Sequence, residues 1–296
     1  MSVDFSLLSK PNIIEELDYE TLLEERKAGF IGLFEAEQRD SIRITLARES
    51  EPLTKLLEES CYREIILRQR INQATLSTLL AFATGTDLDA VVANYGITRL
   101  LVSAATTDTA AVYETDDALR YRASLVFDSL SVAGPTSAYE YHALSADGRV
   151  ADAKASSPAP AEALVTILQN DTETGAATDA LLSIVQSYLN DDVRRPVADR
   201  LTVQSVDVIP FELTATIFTN NLPESDSLIS AATAAVKKYL DESRRIGRSI
   251  YLSKIYNLLH VSGVVHVVIS SPAADVEVSH VQVAHCTNIT INAGEA

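Results

Sequence analysis

Residues 50–85 read SEPLTKLLEESCYREIILRQRINQATLSTLLAFATG, and the reading of this run decides the fold. Ser50-Glu51-Pro52 is a helix start: a capping residue, an acid at the positive end of the dipole, and a proline in the first turn, where its missing N–H costs nothing. Neither Pro nor Gly occurs from Leu53 to Thr84, which predicts a rod of about 50 Å at 1.5 Å per residue. Leu53, Leu57, Cys61, Ile65, Leu76 and Leu79 mark one stripe, broken by Arg68 and Asn72. Leu56, Ile66, Leu67 and Leu80 lie off that stripe. A rod that is apolar on more than one side needs neighbours on several faces, and its length leaves room for other chains among them.

The rod runs into ATGTDLDAVVANYGITR, residues 83–99, where Asp87-x-Asp89 suggests a cation. A calcium loop would continue with an oxygen ligand at Val91 and a glycine at Val92, and neither is present. The alternative is an elbow. Gly85 ends the rod as a left-handed residue, Thr86 or Asp87 caps a short helix with Asp89 in its first turn, and Gly96 ends that helix.

Upstream, Tyr19, Leu22, Leu23, Phe30, Leu33 and Phe34 recur at helical spacing after Asp18. Downstream, helices are expected over Asp116–Leu130, ended by Gly134-Pro135, and over Thr136–Ala146. The texture changes at Asp147-Gly148. Strand candidates (Glu162–Gln169, Leu213–Thr219, Val264–Ile269) then alternate with helices near Thr178–Asn190 and Ser227–Glu242. The fold class is therefore α+β: a helical region over 1–147 with one long helix, and two small α+β modules over 148–220 and 221–296. Tyr188-Leu-Asn-Asp191 and Tyr239-Leu-Asp-Glu242 each close a helix, each precedes an arginine pair (Arg194-Arg195, Arg244-Arg245), and a β-like run follows each pair. Either a duplication or the ordinary attraction of arginine to helix C-termini accounts for this.

A formal charge of −17 over 296 residues opposes nucleic-acid binding, which needs clustered Lys and Arg. Two distant cysteines, Cys61 and Cys286, and an acidic N-terminus without a signal-peptide layout fit reduced, intracellular folding. Ile255–Ala274 carries no Asp, Glu, Lys or Arg, but its glycine, proline and alternation predict a helix end and a strand rather than a membrane span.

The sequence has no glycine-rich phosphate loop, H-E-x-x-H, C-x-x-C or G-x-S-x-G, so no catalytic residue, cofactor or metal is expected. Strand alternation through Val276–Cys286 puts His280 and Cys286 on one face and His285 on the other, which suits ordinary strand residues better than zinc. The adjacent acids Asp116-Asp117 and Asp191-Asp192 are read as caps or turns. Between Lys237 and Lys254 lies a basic island containing Arg244, Arg245 and Arg248. It is either a solvated helix end or a contact for an acidic surface such as Glu15–Glu25 of another copy.

A set of short motifs then carries a resemblance: Leu17-Asp-Tyr-Glu20, Ser50-Glu-Pro52, Tyr62-Arg-Glu64 with Asn72, Ala83–Asp89, Tyr95-Gly-Ile-Thr-Arg99 and Asp117-Ala-Leu-Arg-Tyr-Arg122. Val132-Ala-Gly-Pro135 with Ala138-Tyr139, Asp191-Asp-Val-Arg194 with Asp199-Arg200, Gly263-Val264 and Ser271-Pro272 continue it. In their order and spacing the chain resembles the baseplate J-like family of contractile-tailed bacteriophages and related contractile particles. The resemblance implies a structural wedge component, assembled in the host cytoplasm and carried in the particle. It also implies partners: a second copy in another conformation, a tail protein I-type partner, and neighbouring wedges around the hub. The helical region would build the wedge bundle, and the C-terminal region would join wedges into a ring. Leu22, Leu23, Phe30, Leu53, Leu57, Ile65, Leu76, Leu79, Arg244, Arg245 and Arg248 are the expected interface residues. Two other classes compete: an assembly adaptor absent from the finished particle, and, remotely, a metal-dependent hydrolase.

Overall fold

The computed structural model describes residues 5, 8–11, 18–131, 133–219 and 225–295. Its first helix, α1 (Tyr19–Gly32), begins at Asp18, whose carboxylate accepts the Glu20 N–H at 3.1 Å and the Thr21 hydroxyl at 2.5 Å. The Thr21 bond holds this carboxyl below its ordinary pKa. A short α2 (Arg39–Leu46) leads to the rod, α3 (Pro52–Ser77), and then to α4 (Gly85–Ala93). These helices make up the first of two compact units, Met1–Thr98, and Arg99–Ala296 make up the second. The acids at Glu15 and Glu16 and the motif residues Leu17 and Val132 lie outside the described residues.

The rod is 26 residues long, about 39 Å rather than about 50 Å. It starts on Pro52 with Glu51, not Ser50, at the cap position. It stops before Gly85, in a hydroxyl-rich stretch whose side chains bond back to the helix carbonyls: Thr75 to Ile71 at 3.0 Å, Ser77 to Ala74 at 3.0 Å and Thr78 to Thr75 at 2.8 Å. Such bonds weaken a helix without any Pro or Gly. Gly85 is left-handed (φ +55) but sits at the start of α4, and the cap is Thr84 rather than Thr86 or Asp87. Gly96 (φ +73) closes α4: its N–H bonds Ala93 O at 3.0 Å and the Ile97 N–H reaches Val92 O at 3.3 Å, with Val92 and Ile97 both buried.

In the second unit a two-stranded ribbon, β1 (Leu101–Ser103) and β2 (Val112–Tyr113), precedes α5 (Asp116–Ser124) and α6 (Thr136–Ala146). Helix α5 ends six residues before Leu130, where a 3-10 turn (Asp128–Leu130) takes over. Two three-stranded sheets follow. The first has β3 (Val150–Ser156), β4 (Glu162–Gln169) and β5 (Arg200–Ser205) in the order β3-β4-β5, with α7 (Asp179–Leu189) as the crossover from β4 to the parallel β5. Its core includes Val165, Ile167, Leu181, Val185 and Leu189, and Tyr139, Ala143 and Leu144 of α6 pack into it.

The second sheet has β6 (Asp207–Thr219) at its centre, between antiparallel β7 (Val264–Ser271) and parallel β8 (Gln282–Glu295). Helices α8 (Ser225–Ser243) and α9 (Leu252–Leu259) cover it, and the core takes in Leu213, Ala215, Ile217, Val236, Ile255 and Leu259.

Two expected boundaries move. The break at Asp147-Gly148 falls inside the second unit, where Gly148 is buried and a Cβ on it would lie 2.5 Å from Leu101 O. The strand over Leu213–Thr219, expected in the first module, is the central strand of the second sheet. Both sheets set a central strand between one antiparallel and one parallel neighbour. The repeat as read from the arginine pairs does not hold, because β5 runs parallel to its central strand and β7 antiparallel.

Candidate assembly surfaces

Helix α1 docks on α3 by burying Leu22 and Leu23 against Cys61, with Tyr19, Leu57 and Ile65 packed around them. Arg26 fastens the pair, donating to Ser60 Oγ at 2.8 Å and pairing with Glu64, which also holds Arg68 at 2.6 Å. The stripe on which most of the expected interface residues lie is thus largely covered within the chain. Phe30 is half-buried and meets Phe34 edge-on, with ring centroids 5.3 Å apart. Leu76 is half-buried, and Leu79 lies beyond the helix end.

What α1 leaves open is a different face. Leu56, Leu67 and Ile71 are 63%, 61% and 61% exposed, and Leu53 is exposed beside them. At about 100° per residue these four fall within about 60° of one another on α3, with Leu53 and Ile71 at the edge nearer Cys61 and Leu56 and Leu67 farther round. Ile71 escaped the sequence reading because the stripe through Cys61 took precedence. A helical wheel drawn through Leu67 finds it. Tyr62 and Ile66 are exposed on a third side.

Of the basic island, only part faces outward. Arg244 donates to Glu173 O at 2.6 Å, and Arg245 pairs with Asp152 at 3.7 Å and lies 4.8 Å over the Tyr121 ring. Arg248 is exposed and donates to Glu242 O at the end of α8. The earlier pair behaves differently: Arg194 stacks 3.9 Å over Tyr188 of the helix it follows, and Arg195 donates to Asp199 O at 3.0 Å.

The acidic candidates are structural. Asp116 pairs with Arg99 and Asp117 with Arg120, each at 2.7 Å, in the first turn of α5, which Thr115 caps. Glu114, which the sequence reading passed over, is the centre of this corner. It binds Arg122 through Oε1 at 3.1 Å and Oε2 at 2.7 Å and accepts the Leu100 N–H, with both side chains buried. Asp191 accepts the Val193 N–H at 3.0 Å and pairs with Arg194, and these bonds hold its carboxyl below its ordinary pKa. Asp87 is exposed and Asp89 half-buried, both in α4.

His280, His285 and Cys286 do not converge. The expected strand is interrupted by a turn at Ser279–Gln282, which leaves His280 exposed before β8 begins. His285 and Cys286 line a small cavity of about 70 Å³ with Asp241 and Arg244. Burial and the Arg244 charge push His285 down, and burial pushes the Cys286 thiol up, away from the thiolate a metal or a nucleophilic step requires. Among the described residues no group of three or more His, Cys, Asp or Glu could hold a metal ion, and no helix is long and apolar enough to cross a membrane.

The motifs behind the resemblance hold the architecture together. Arg99 and Arg122 lock the corner around Glu114. Gly134 (φ +78) lies so close to Asp199 and Pro196 that a Cβ would stand 3.1 and 3.0 Å from them, and the Tyr139 hydroxyl donates to Asp199 at 2.8 Å. Burial, and then that bond, hold the Tyr139 phenol well above its ordinary pKa.

Comparison with known proteins divides the chain into three regions, the first of which runs past Thr98 into the second unit. Residues 49–106 match the Baseplate J-like N-terminal domain, residues 131–205 the Baseplate J-like central domain, and residues 211–292 the Baseplate J-like protein C-terminal domain. The join between the last two falls at the passage from β5 to β6. Baseplate protein J of Escherichia phage P2 is 43% identical over 296 residues, covering 99% of this chain and 98% of that protein.

Proposed function

The chain belongs to the baseplate J-like family, and from that premise we propose that it is a structural component of a phage or phage-like baseplate. The observation that carries the reading is the end-to-end likeness to a phage baseplate protein, with all three family regions present in order. Its working parts are surfaces rather than an active site. The open face of α3 (Leu53, Leu56, Leu67, Ile71) receives partner helices, because a regular helix with large apolar side chains on its solvent side is an unfinished bundle. Those helices come from a second copy of the chain and from a tail protein I-type partner. The α+β modules contact neighbouring wedges around the hub, with Arg248 on the exposed part of the basic island. The chain acts on no substrate and engages neither nucleic acid nor membrane. It assembles in the host cytoplasm and remains in the particle.

Quantitative mass spectrometry of purified intact tails tests this reading. The chain is expected at a fixed ratio to the other baseplate proteins. Its absence from intact tails, with presence only in assembling lysates, would establish the assembly-adaptor reading instead.

A further inference from the structure

The two α+β modules each enclose a core of their own, and a narrow seam joins them. Val206 is the whole covalent crossover. Its N–H bonds Ile167 O at 2.9 Å on the first sheet, and the next N–H, of Asp207, bonds Val281 O at 3.1 Å beside the second. The apolar part of the seam is small, centred on Leu168, Val206, Ile246 and Val283. The rest is polar. Asp152 of β3, 5% exposed, accepts the Ile246 N–H at 2.9 Å and faces the Arg245 guanidinium at 3.7 Å. Arg245 lies over Tyr121 of α5, and Arg244 reaches Glu173 O at 2.6 Å. Every one of these contacts joins the turn after α8 to the neighbouring module.

We propose that this seam is a clasp that opens as a unit: Asp152 holds the Arg245–Ile246 turn, and when the hold is lost the C-terminal module swings about Val206 with its own core intact. The two sides of the clasp are unequal. The Asp152 side chain is 8% exposed and that of Arg245 36%, so Arg245 stripped of its partner finds water and Asp152 does not. Glu140 offers Asp152 no help. It is itself an acid, taken up by Lys154 at 3.0 Å and the Ala155 N–H at 3.2 Å. The Tyr121 phenol is held protonated, its pKa pushed up to about 12 by burial and the nearby acids. Burial also raises the Asp152 carboxyl, as expected of a charge with a single cation beside it. Breaking a buried pair from the exposed side leaves an uncompensated buried charge, whereas removing the buried charge leaves a solvated cation. The inference is independent of the baseplate reading.

Residue-resolved hydrogen exchange on the full-length chain tests it, comparing wild type, Arg245→Gln, Asp152→Asn and the double variant. Arg245→Gln is expected to speed exchange at Ile246 and Gly247 by about a hundredfold while Ala215 and Ile217 in β6 keep wild-type protection. Asp152→Asn keeps an acceptor for the Ile246 N–H and removes the buried charge, so it is expected to change exchange little and, in the double variant, to restore protection. Arg245→Lys, which keeps the charge but loses the planar stack on Tyr121, serves as the milder variant and is expected to give an intermediate value. Equal acceleration at Ile246 and Ile217, or no rescue by Asp152→Asn, would overturn the clasp.

Discussion

Helix α3 and strand β6 are both rich in large apolar side chains, yet they dispose of them in opposite ways. On β6 the inward residues Leu213, Ala215 and Ile217 are at most 1% exposed, enclosed by α8 and α9. On α3 only Thr54, Cys61 and Asn72 are buried, and leucines and isoleucines stand in solvent. A sheet covered by its own helices is finished within one chain. A rod covered on one side by a single helix is not. The difference separates a sheet enclosed by helices of its own unit from a rod that leaves one apolar face in solvent.

The sharpest way to break the comparison is a pair of substitutions on α3. Cys61→Asp places a charge in the sealed contact with α1, and is expected to lower stability by about 3–5 kcal/mol in chemical denaturation. Leu67→Asp, on the open face, is expected to change stability by less than about 0.5 kcal/mol while preventing incorporation into tails. A large stability loss from Leu67→Asp would mean that this face is already covered within the chain. In the second unit, Gly148→Ala drives a Cβ toward the Leu101 carbonyl, and a cost of about 1–3 kcal/mol is expected in the same assay. A neutral result would mean that this corner is as loose as the open face of the rod.

Smaller effects come from two aspartates only five residues apart in the second unit. Asp147 is held below its ordinary pKa of 3.8 mainly by its Arg149 bonds. Its contribution is present above 3.8 and is lost as pH falls through the lower folded value. Asp152 is held above 3.8 by burial, so its contribution is complete below 3.8 and is lost as pH rises through the raised folded value. Denaturation midpoints from about pH 2 to about pH 7 should therefore fall less steeply on the acid side in Asp147→Asn, the remaining fall belonging to carboxyls such as Asp18 and Asp191. In Asp152→Asn the decline on the rising side should go instead. If both variants shift the curve in the same sense, the assignment of burial to one and pairing to the other fails. The smallest expected effect is Arg194→Ala, about 0.5–1 kcal/mol from the lost stack on Tyr188, with exchange quickened only around the end of α7. Faster exchange in the C-terminal module would show that the two arginine pairs are not the separate devices they are in this structure.

Much of this was legible before any coordinates. Pro52 announced the rod, Gly96 the end of α4, and the short apolar run within Glu162–Gln169 the strand β4, because each signal acts through the backbone within a turn or two of itself. The end of α3 was misjudged because no proline or glycine marks it, and the hydroxyls of Thr75, Ser77 and Thr78 are a weaker signal. Arg194 and Arg244 each open an arginine pair after near-identical helix ends, yet one closes its own helix and the other reaches a neighbouring module. No local signal separates them.

Composition, charge and motif order determined on their own that the chain is an acidic α+β protein without a recognisable catalytic motif, and they pointed to its family. Those properties are sums and spacings along the chain, which folding does not alter. Tertiary structure alone decided which apolar face of α3 is spent on α1, that Gly148 is a close-packed corner, and that Val206 divides two sheets. Each depends on which distant residues come within a few ångströms, and burial belongs to that meeting rather than to the residue.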